Sequence, residues 1–450
     1  MIPRLGSKGI FVLICAVIIA MIIDISIVRI ATSIGGIGPS YIALFTGMVV
    51  VFGVGQYVIS AHVRSEHRYI DYKISSNFRG RNPTDKAITI SQYVLFAILV
   101  SVILQMVFTS SYHIFSLIAI IFISYGLSFV LLAFLAKRFF SWFKSNRNVI
   151  VLVYGLAIAS LSLNSVIAII YTNNEFATGP QFIRNIKSLT GGYEVSDAIF
   201  GSAYTLTSVL AFVLMWAATI LLMKHYSRKI GKAKYWIGVA IPLAYFLSQF
   251  QPLFLYSFSD FRRQDPVLFG IVYNLIYTVA KPAGGILFGL AFWTIAKNLS
   301  NRVVRRYMLI SAFGMMFLFA ANQPTFLVLV PYPPFGLVTV SFMGLASYLF
   351  YLGIYSASIS VSEDSRLRRE IRKAAIKEST RFLDSIGTAE MEQEIERRVI
   401  ALTAATRENM ERETGISSSI DEKDIKKYLQ EALQEVKSKR GRNKGDGNHN

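Results

Sequence analysis

Apolar stretches of about 20 residues recur along the first 360 positions, and this recurrence constrains the fold more than any other feature. A stretch of that length lets an α-helix cross a hydrocarbon core roughly 30 Å thick. Helices also satisfy their own backbone hydrogen bonds inside lipid, where no water can do so. The sequence therefore predicts an all-α fold, a polytopic membrane helix bundle.

Apolar and charged residues are divided unequally along the chain. Apolar and aromatic residues make up 53% of the chain, yet charged residues, Gln and Ala dominate after position 360. We expect a ten-span transmembrane domain over 1–360, a cytoplasmic amphipathic helical tail over 361–438 and a disordered basic C-terminus over 439–450. The predicted spans are 9–31, 41–62, 89–111, 114–136, 149–171, 199–223, 236–256, 267–296, 307–330 and 335–358.

Basic residues are concentrated in alternate connections between these spans. With the N-terminus inside, the internal segments carry 21 Lys and Arg residues and the external segments carry five. Because cytoplasmic loops are enriched in Lys and Arg, this bias predicts that both termini lie in the cytoplasm. The same bias accounts for much of the net charge of +19, so we expect the lipid bilayer as partner and no nucleic acid.

Residue types that carry catalysis or bind metals are sparse. Cys15 is the only cysteine, and the five histidines lie at span ends, in a loop or in the tail. No nucleotide-binding glycine loop, zinc motif or nucleophile motif is present. We therefore expect no catalytic residues, no metal, no cofactor and no enzymatic activity.

Two proline-containing segments resemble each other, "FQPLFLY" (250–256) and "NQPTFLV" (322–328). Each places an amide before a proline inside a predicted span. Counted from the predicted cytoplasmic end, a polar residue lies thirteen to fifteen positions into every odd-numbered span, about 20–22 Å deep. These residues are Asp24, Gln105, Asn164, Gln251 and Gln323.

This polar layer, with the adjacent Gln249 and Asn322, has two interpretations. It could line a ligand cavity beside helices that Pro252 and Pro324 interrupt, as broken helices do in many transporters. Alternatively, its amides hold helices together, each contributing about 1 kcal/mol. The ligand cavity is the functional hypothesis.

Asp24 is the only acid deep in a predicted span, and Lys281 is the only base. A charge at such depth costs about 2.5–3.5 kcal/mol on insertion scales, so it normally has a partner. Pro282, Gly284 and Gly285 predict a kink and a close helix approach beside the lysine. We hypothesise that Lys281 pairs with Asp24 or binds an anionic ligand. Alternatively, Asp24 lies among outer headgroups and Lys281 caps a broken helix.

The tail is predicted to form amphipathic helices. A first stretch should end at Gly387, and a second places apolar residues on one side, namely Met391, Ile395, Val399 and Leu402. Amphipathic helices need a surface to cover, so we expect a cytoplasmic protein partner or a homo-oligomer through the tail. On the outer side, residues 172–198 form a loop long enough to cover a cavity.

The segment "AANQPTFLVLVPYPPFGLVTVSFMGLASYLFYLGIYSASISVSEDSRLRREIR", followed by "LDSIGTAEMEQEIERRV", resembles multi-pass membrane proteins of ammonia-oxidising archaea (Thaumarchaeota). The resemblance covers about residues 319–400, and "SVSEDSRLRR" is its most distinctive part. It implies an archaeal plasma membrane and no established activity or residue roles.

Two classes of function fit these patterns. The first is a sensor, receptor-like or scaffold protein that couples a membrane cavity to the cytoplasmic tail. The second is a secondary transporter or permease for a small polar or anionic solute. The size of the tail favours the first class.

Overall fold

The computed structural model describes residues 7–34, 39–74, 83–177, 182–184, 198–224, 231–250, 258–299, 301–329, 332–363 and 378–414, with Tyr428 and Glu431. Its helices are α1 (Ser7–Ile34), α2 (Pro39–Ile74), α3 (Pro83–Thr109), α4 (Ile114–Asn146), α5 (Val149–Ala177), α6 (Ala198–Met223), α7 (Lys232–Ser248), α8 (Ser259–Gln264), α9 (Pro266–Thr278), α10 (Ala280–Lys297), α11 (Arg302–Ala321), α12 (Leu337–Ser341), α13 (Met343–Glu363) and α14 (Glu378–Thr414). A 3₁₀ helix spans Pro324–Leu329, and two short strands are β1 (Ser111–His113) and β2 (Phe182–Arg184).

Within the described residues, eight helical segments are long and apolar enough to cross a membrane. They comprise α2 to α6, the segment Ile276–Lys297 that includes α10, then α11, and finally α12 with α13. This confirms a helical membrane bundle. The two remaining predicted spans correspond to α1, with an apolar stretch at Val12–Val28, and to α7, which has 17 residues. The number of ten spans and their direction stay predictions.

Helix α13 lies at the centre of the bundle. Nearly all residues of the apolar segment that it forms with α12 are buried by protein, and it contacts α3, α4, α11 and α14. Two glycines allow α11 and α13 to approach backbone to backbone. A β-carbon on Gly314 would lie 2.4 Å from Phe350 N, and one on Gly353 would lie 2.6 Å from Ser311 N. Small residues at such a crossing are how membrane helices gain close packing without a hydrophobic driving force.

Part of the predicted outer loop is tied to the turn between α3 and α4. Strand β2, which belongs to the 172–198 segment, pairs antiparallel with β1 through the register Ser111–Arg184 and His113–Phe182. Tyr112 of β1 stacks on Tyr332, with ring centroids 6.0 Å apart. We call this the loop end of the bundle, and the opposite end, which contacts α14, the α14 end.

The prediction that a tail helix ends at Gly387 was wrong. Helix α14 continues through this residue over 37 positions. A β-carbon on Gly387 would lie 2.2 Å from Val361 Cγ1. The glycine is therefore used for a close crossing with α13, and not for the left-handed conformation that ends many helices.

Candidate functional site

Two helix breaks lie against each other near the middle of the bundle, and the first is caused by Pro282. Proline has no backbone N–H, so it removes the donor that would bind the carbonyl of Thr278 four residues earlier. Helix α9 ends at Thr278 and α10 begins two residues later. Gln323 Nε2 from the other break donates to this carbonyl over 3.4 Å, a long hydrogen bond.

The second break follows Ala321, where α11 ends. Asn322 leaves the helical conformation, with φ −78° and ψ 67°, and Pro324 then starts the 3₁₀ helix. The carbonyl oxygen of Asn322 accepts a hydrogen bond of 3.1 Å from Lys281 Nζ. Each break thus supplies a side-chain donor to a carbonyl of the other.

The second break belongs to a polar ring, which we define as Tyr125, Asn164, Tyr204, Lys281 and Asn322. Asn322 Nδ2 donates to Asn164 Oδ1 at 3.0 Å, and Asn164 Nδ2 donates to the carbonyl of Tyr204 at 3.2 Å. Lys281 Nζ donates to Tyr204 Oη at 3.0 Å, and Tyr125 Oη donates to Asn322 Oδ1 at 3.3 Å. The ring therefore joins α4, α5, α6, α10 and the end of α11.

The amides of the ring act as connectors between helices. Asn164 is fully buried and Asn322 is 3% exposed, and each binds side chains or backbone of other helices. Asn164 also donates to Thr207 Oγ1 at 3.0 Å. These contacts fit the interpretation in which amides hold helices together, and they place a half-buried lysine in the same network.

Asp24 and Lys281 do not form the hypothesised pair. The Asp24 carboxylate accepts hydrogen bonds from the backbone N–H groups of Gly336 and Thr339, at 3.0 and 3.1 Å, and from Thr339 Oγ1 at 2.7 Å. It therefore caps the N-terminus of α12, where free N–H groups and the helix dipole favour a negative charge. No acidic side chain of the described chain lies within 4.0 Å of Lys281 Nζ.

Gln105 and Gln249 are described residues of the predicted layer that do not join the ring. Gln105 donates to Ser101 Oγ at 3.3 Å and accepts from the backbone N–H of His113, so it serves the turn at the loop end. Gln249 donates to the carbonyl of Phe246 in its own helix at 2.7 Å. Gln251 and Pro252 lie outside the described residues.

Gly284 and Gly285 are sites of close approach, as the sequence indicates. A β-carbon on Gly285 would lie 2.8 Å from Phe319 Cβ and 3.2 Å from the carbonyl oxygen of Met316. One on Gly284 would lie 2.3 Å from the ring of Phe212. The first contact brings α10 close to the backbone of α11, which holds the two breaks in register.

Sequence reasoning missed three members of this network. Tyr125, Tyr204 and Thr207 stand in apolar runs where a tyrosine or threonine is ordinary, so neither depth nor charge distinguishes them. A signal was present in α6, since Tyr204 and Thr207 are spaced three apart and thus share a helix face. The missing information was which helix that face meets.

A cavity of about 350 Å³ lies among α4, α5 and α6, towards the loop end. Ile121 and Phe200 line it, one helical turn from Tyr125 and Tyr204 respectively. Its wall is mostly apolar, with Asn173 among the polar exceptions. The cavity is beside the ring and does not include Lys281, so the predicted ligand cavity at Lys281 stays a prediction.

A second polar cluster joins α14 to α4, and we call it the docking interface. It comprises Arg138, Trp142, Ser145, Glu390 and Glu392. Trp142 Nε1 donates to Glu390 Oε2 at 2.9 Å, and Arg138 lies 3.7 Å from the same carboxylate. Ser145 Oγ donates to Glu392. Glu390 is 4% exposed and Glu392 is 8% exposed, so these bonds are made away from bulk water.

Apolar residues and further amides complete this contact. Phe382, with ring-centroid distances of 6.2 Å to Phe139 and 5.5 Å to Tyr154, is fully buried. Asn146 Nδ2 donates to the carbonyl of Ser385 at 2.6 Å. The first third of α14 is therefore built into the α14 end of the bundle.

Replacing Glu390 with alanine should loosen this part of α14. Trp142 Nε1 would lose its acceptor and Arg138 its buried partner, at a cost of about 1–3 kcal/mol. We expect amide hydrogen exchange in the docked part of α14 to accelerate by about 5- to 150-fold. The matched control is Glu394→Ala, because Glu394 pairs only with Arg397 and Arg398 of its own helix in the described contacts. Equal acceleration in both variants would contradict the assignment.

The eight apolar helices and the buried polar ring define the class: a multi-pass helical membrane protein. Comparison with protein-family models, with curated proteins and with solved structures finds no match.

Proposed function

We propose that this protein is a non-catalytic sensor, receptor-like or scaffold protein of the membrane, which couples the polar ring to the docked helix α14. The basic-residue bias supports a cytoplasmic position for α14. The resemblance to proteins of ammonia-oxidising archaea supports an archaeal plasma membrane.

The observation that carries this proposal is that one helix, α4, holds both sites. Tyr125 of α4 binds Asn322 in the ring, and Trp142 of the same helix binds Glu390 in the docking interface. The two residues are 17 positions apart, which is about 26 Å along an unbroken helix. A shift or rotation of α4 at the ring therefore changes the surface that α14 contacts.

Helix α13 provides a second connection between the same regions. Its Ser347 lies 2.6 Å from Ser128 of α4, hydroxyl to hydroxyl, close to the ring. At its other end Val361 meets Gly387 of α14 at the close crossing. Movement of α4 relative to α13 would consequently change both contacts of α14, the one with α4 and the one with α13.

The second half of α14 supports a partner. Leu402 is 68% exposed and Met410 is 54% exposed, whereas the apolar residues before position 390 are buried against the bundle. Exposed apolar side chains on a helix favour association with a cytoplasmic protein or with a second copy of the chain. This half would present the signal that the docked half receives.

The coupling can be tested by measuring a distance between α14 and the bundle. Cys15 is replaced with serine, and spin labels are placed at Leu402 on α14 and Val149 at the start of α5, both exposed. Asn164→Ala breaks the ring by removing its bonds to Asn322 and Tyr204. We expect the distance distribution to broaden or shift relative to that of the spin-labelled protein in which Asn164 is unchanged.

The control for this experiment is Gln105→Ala, an amide of the membrane domain that lies outside the ring. It should leave the distance distribution unchanged. A folded Asn164→Ala protein with the distribution of the unaltered ring would refute coupling, and so would an equal change in the control.

The two facing helix breaks favour a second candidate, a secondary transporter for a small polar solute. Discontinuous helices at the centre of the membrane are typical of substrate sites in transporters. Solute uptake by vesicles that contain the protein, and its loss on Lys281→Ala, would support transport. Absence of uptake across polar and anionic solutes, with the α14 response present, would leave the coupling function alone.

A further inference from the structure

Lys281 is surrounded by groups that stabilise positive charge. Its Nζ donates to Tyr204 Oη at 3.0 Å and to the Asn322 carbonyl oxygen at 3.1 Å. It also lies 5.1 Å from the centroid of the Tyr204 ring, within range of a cation–π interaction. Every one of these contacts offers electron density to a cation.

The Asn322 carbonyl has a particular electrostatic origin. It follows the C-terminus of α11, a helix of 20 residues whose dipole concentrates negative partial charge there. The break releases this carbonyl from the helix, so that it can bind a ligand. Helix C-terminal ends and unwound carbonyls are the groups that bind small cations in membrane transporters.

The same surroundings disfavour the anionic ligand that the sequence suggested. An anion at Lys281 Nζ would lie beside the Asn322 carbonyl oxygen, which can only accept hydrogen bonds and would repel it. The acid expected as partner, Asp24, is engaged at α12. Among the described residues, the charge of Lys281 is therefore balanced by dipoles and a π face, as in a cation site, and not by an ion pair.

We propose that Tyr204 and the Asn322 carbonyl form a site for a primary ammonium group, and that the Lys281 side chain is its tethered resident ligand. Two directional oxygen acceptors and an aromatic face suit an ammonium, which donates up to three hydrogen bonds. This inference concerns the ring alone and does not require α14 to respond.

The site implies a structural role for the charge itself. The ammonium links the start of α10 to the end of α11 and to α6, while Gln323 makes the reciprocal link to α9. A cation in this position therefore holds the two breaks together. A free primary amine should replace it once the tether is removed.

Chemical rescue tests this proposal in the full-length protein. Lys281→Ala removes three carbons and the amine, which is the size of propylammonium. We expect the variant, purified in propylammonium, to lose thermal stability when the amine is removed and to recover most of the lost melting temperature, saturably, when it is returned. The unaltered protein should not respond.

Three controls separate a cation site from simple filling of space. Propanol has the same length without charge, tetramethylammonium has charge without N–H donors, and propionate carries the opposite charge; none should restore the melting temperature. Lys281→Met fills the space with an uncharged chain and should not respond to propylammonium. Lys281→Ala combined with Tyr204→Phe should bind propylammonium several-fold more weakly than Lys281→Ala alone.

Each other result overturns the proposal. Equal rescue by propanol would make the lysine a space-filling residue, and rescue by propionate would identify an anion site. A Lys281→Ala protein that cannot be purified even in propylammonium, or that melts like the unaltered protein without it, also counts against a bound ammonium. None of these results bears on the distance experiment, so the coupling function is tested independently of the ammonium site.

Discussion

A methyl group added at Gly314 or Gly353 is expected to destabilise the membrane domain more than any change on its lipid-facing surface. The new β-carbon would lie 2.4 Å from Phe350 N in the first case and 2.3 Å from Ser311 Oγ in the second. Backbone atoms stand beside both positions, so α11 and α13 must separate. Overpacking of this kind costs about 1–3 kcal/mol or more. The melting temperature in detergent or lipid discs measures the loss.

Gly126→Ala is the matched control for this experiment. It lies in α4, and a β-carbon there meets nothing within 4 Å. Because alanine has the higher helix propensity, this variant should melt at the same temperature or slightly higher. A Gly353→Ala protein as stable as the control would show that α11 and α13 are not held at the described distance.

Asp24→Ala is expected to have the second large effect. The substitution removes the acceptor of two backbone N–H groups at the start of α12 and of the Thr339 hydroxyl. Each buried donor left without a partner costs about 1–3 kcal/mol, so α1 and α12 should separate or the domain should unfold. Thermal unfolding, with hydrogen exchange at residues 336–341, distinguishes these outcomes.

Two further variants calibrate the Asp24 result. Thr339→Val removes one of the three donors with its hydroxyl and should cost less than Asp24→Ala. Asp260→Ala changes an exposed acid of α8 and should leave exchange at 336–341 unaltered. If Asp24→Ala melted like the unaltered protein and left exchange at 336–341 unchanged, the carboxylate would not hold the start of α12.

The depth of a polar residue could be predicted from sequence, but its neighbour could not. Counting along helices placed Asn164 and Gln323 at a common level, and both lie beside the facing breaks. The same count placed Asp24 and Gln105 there, yet one caps α12 and the other serves the loop-end turn. Rise along a helix is set by backbone geometry, whereas the direction of a side chain depends on helix rotation and on which helix packs alongside.

Gly387 illustrates the same limit in the tail. A glycine in a polar helix is a common termination signal, and nothing local distinguishes it from one that allows two helices to cross. Only the position of Val361 decides between the two roles. Local residue preferences are weak beside such a contact, because tertiary packing overrides them.

Apolar stretches of spanning length determined by themselves that this chain is a helical membrane protein, since lipid leaves the backbone almost no other solution. Pro282 and Pro324 likewise determined where helices would be interrupted, because a missing N–H acts within its own helix. The tertiary structure decided that the two breaks face each other, that Lys281 enters an oxygen-lined site and that α14 is docked on α4. These are contacts between residues distant in the chain, and their energies depend on distances that no local pattern contains.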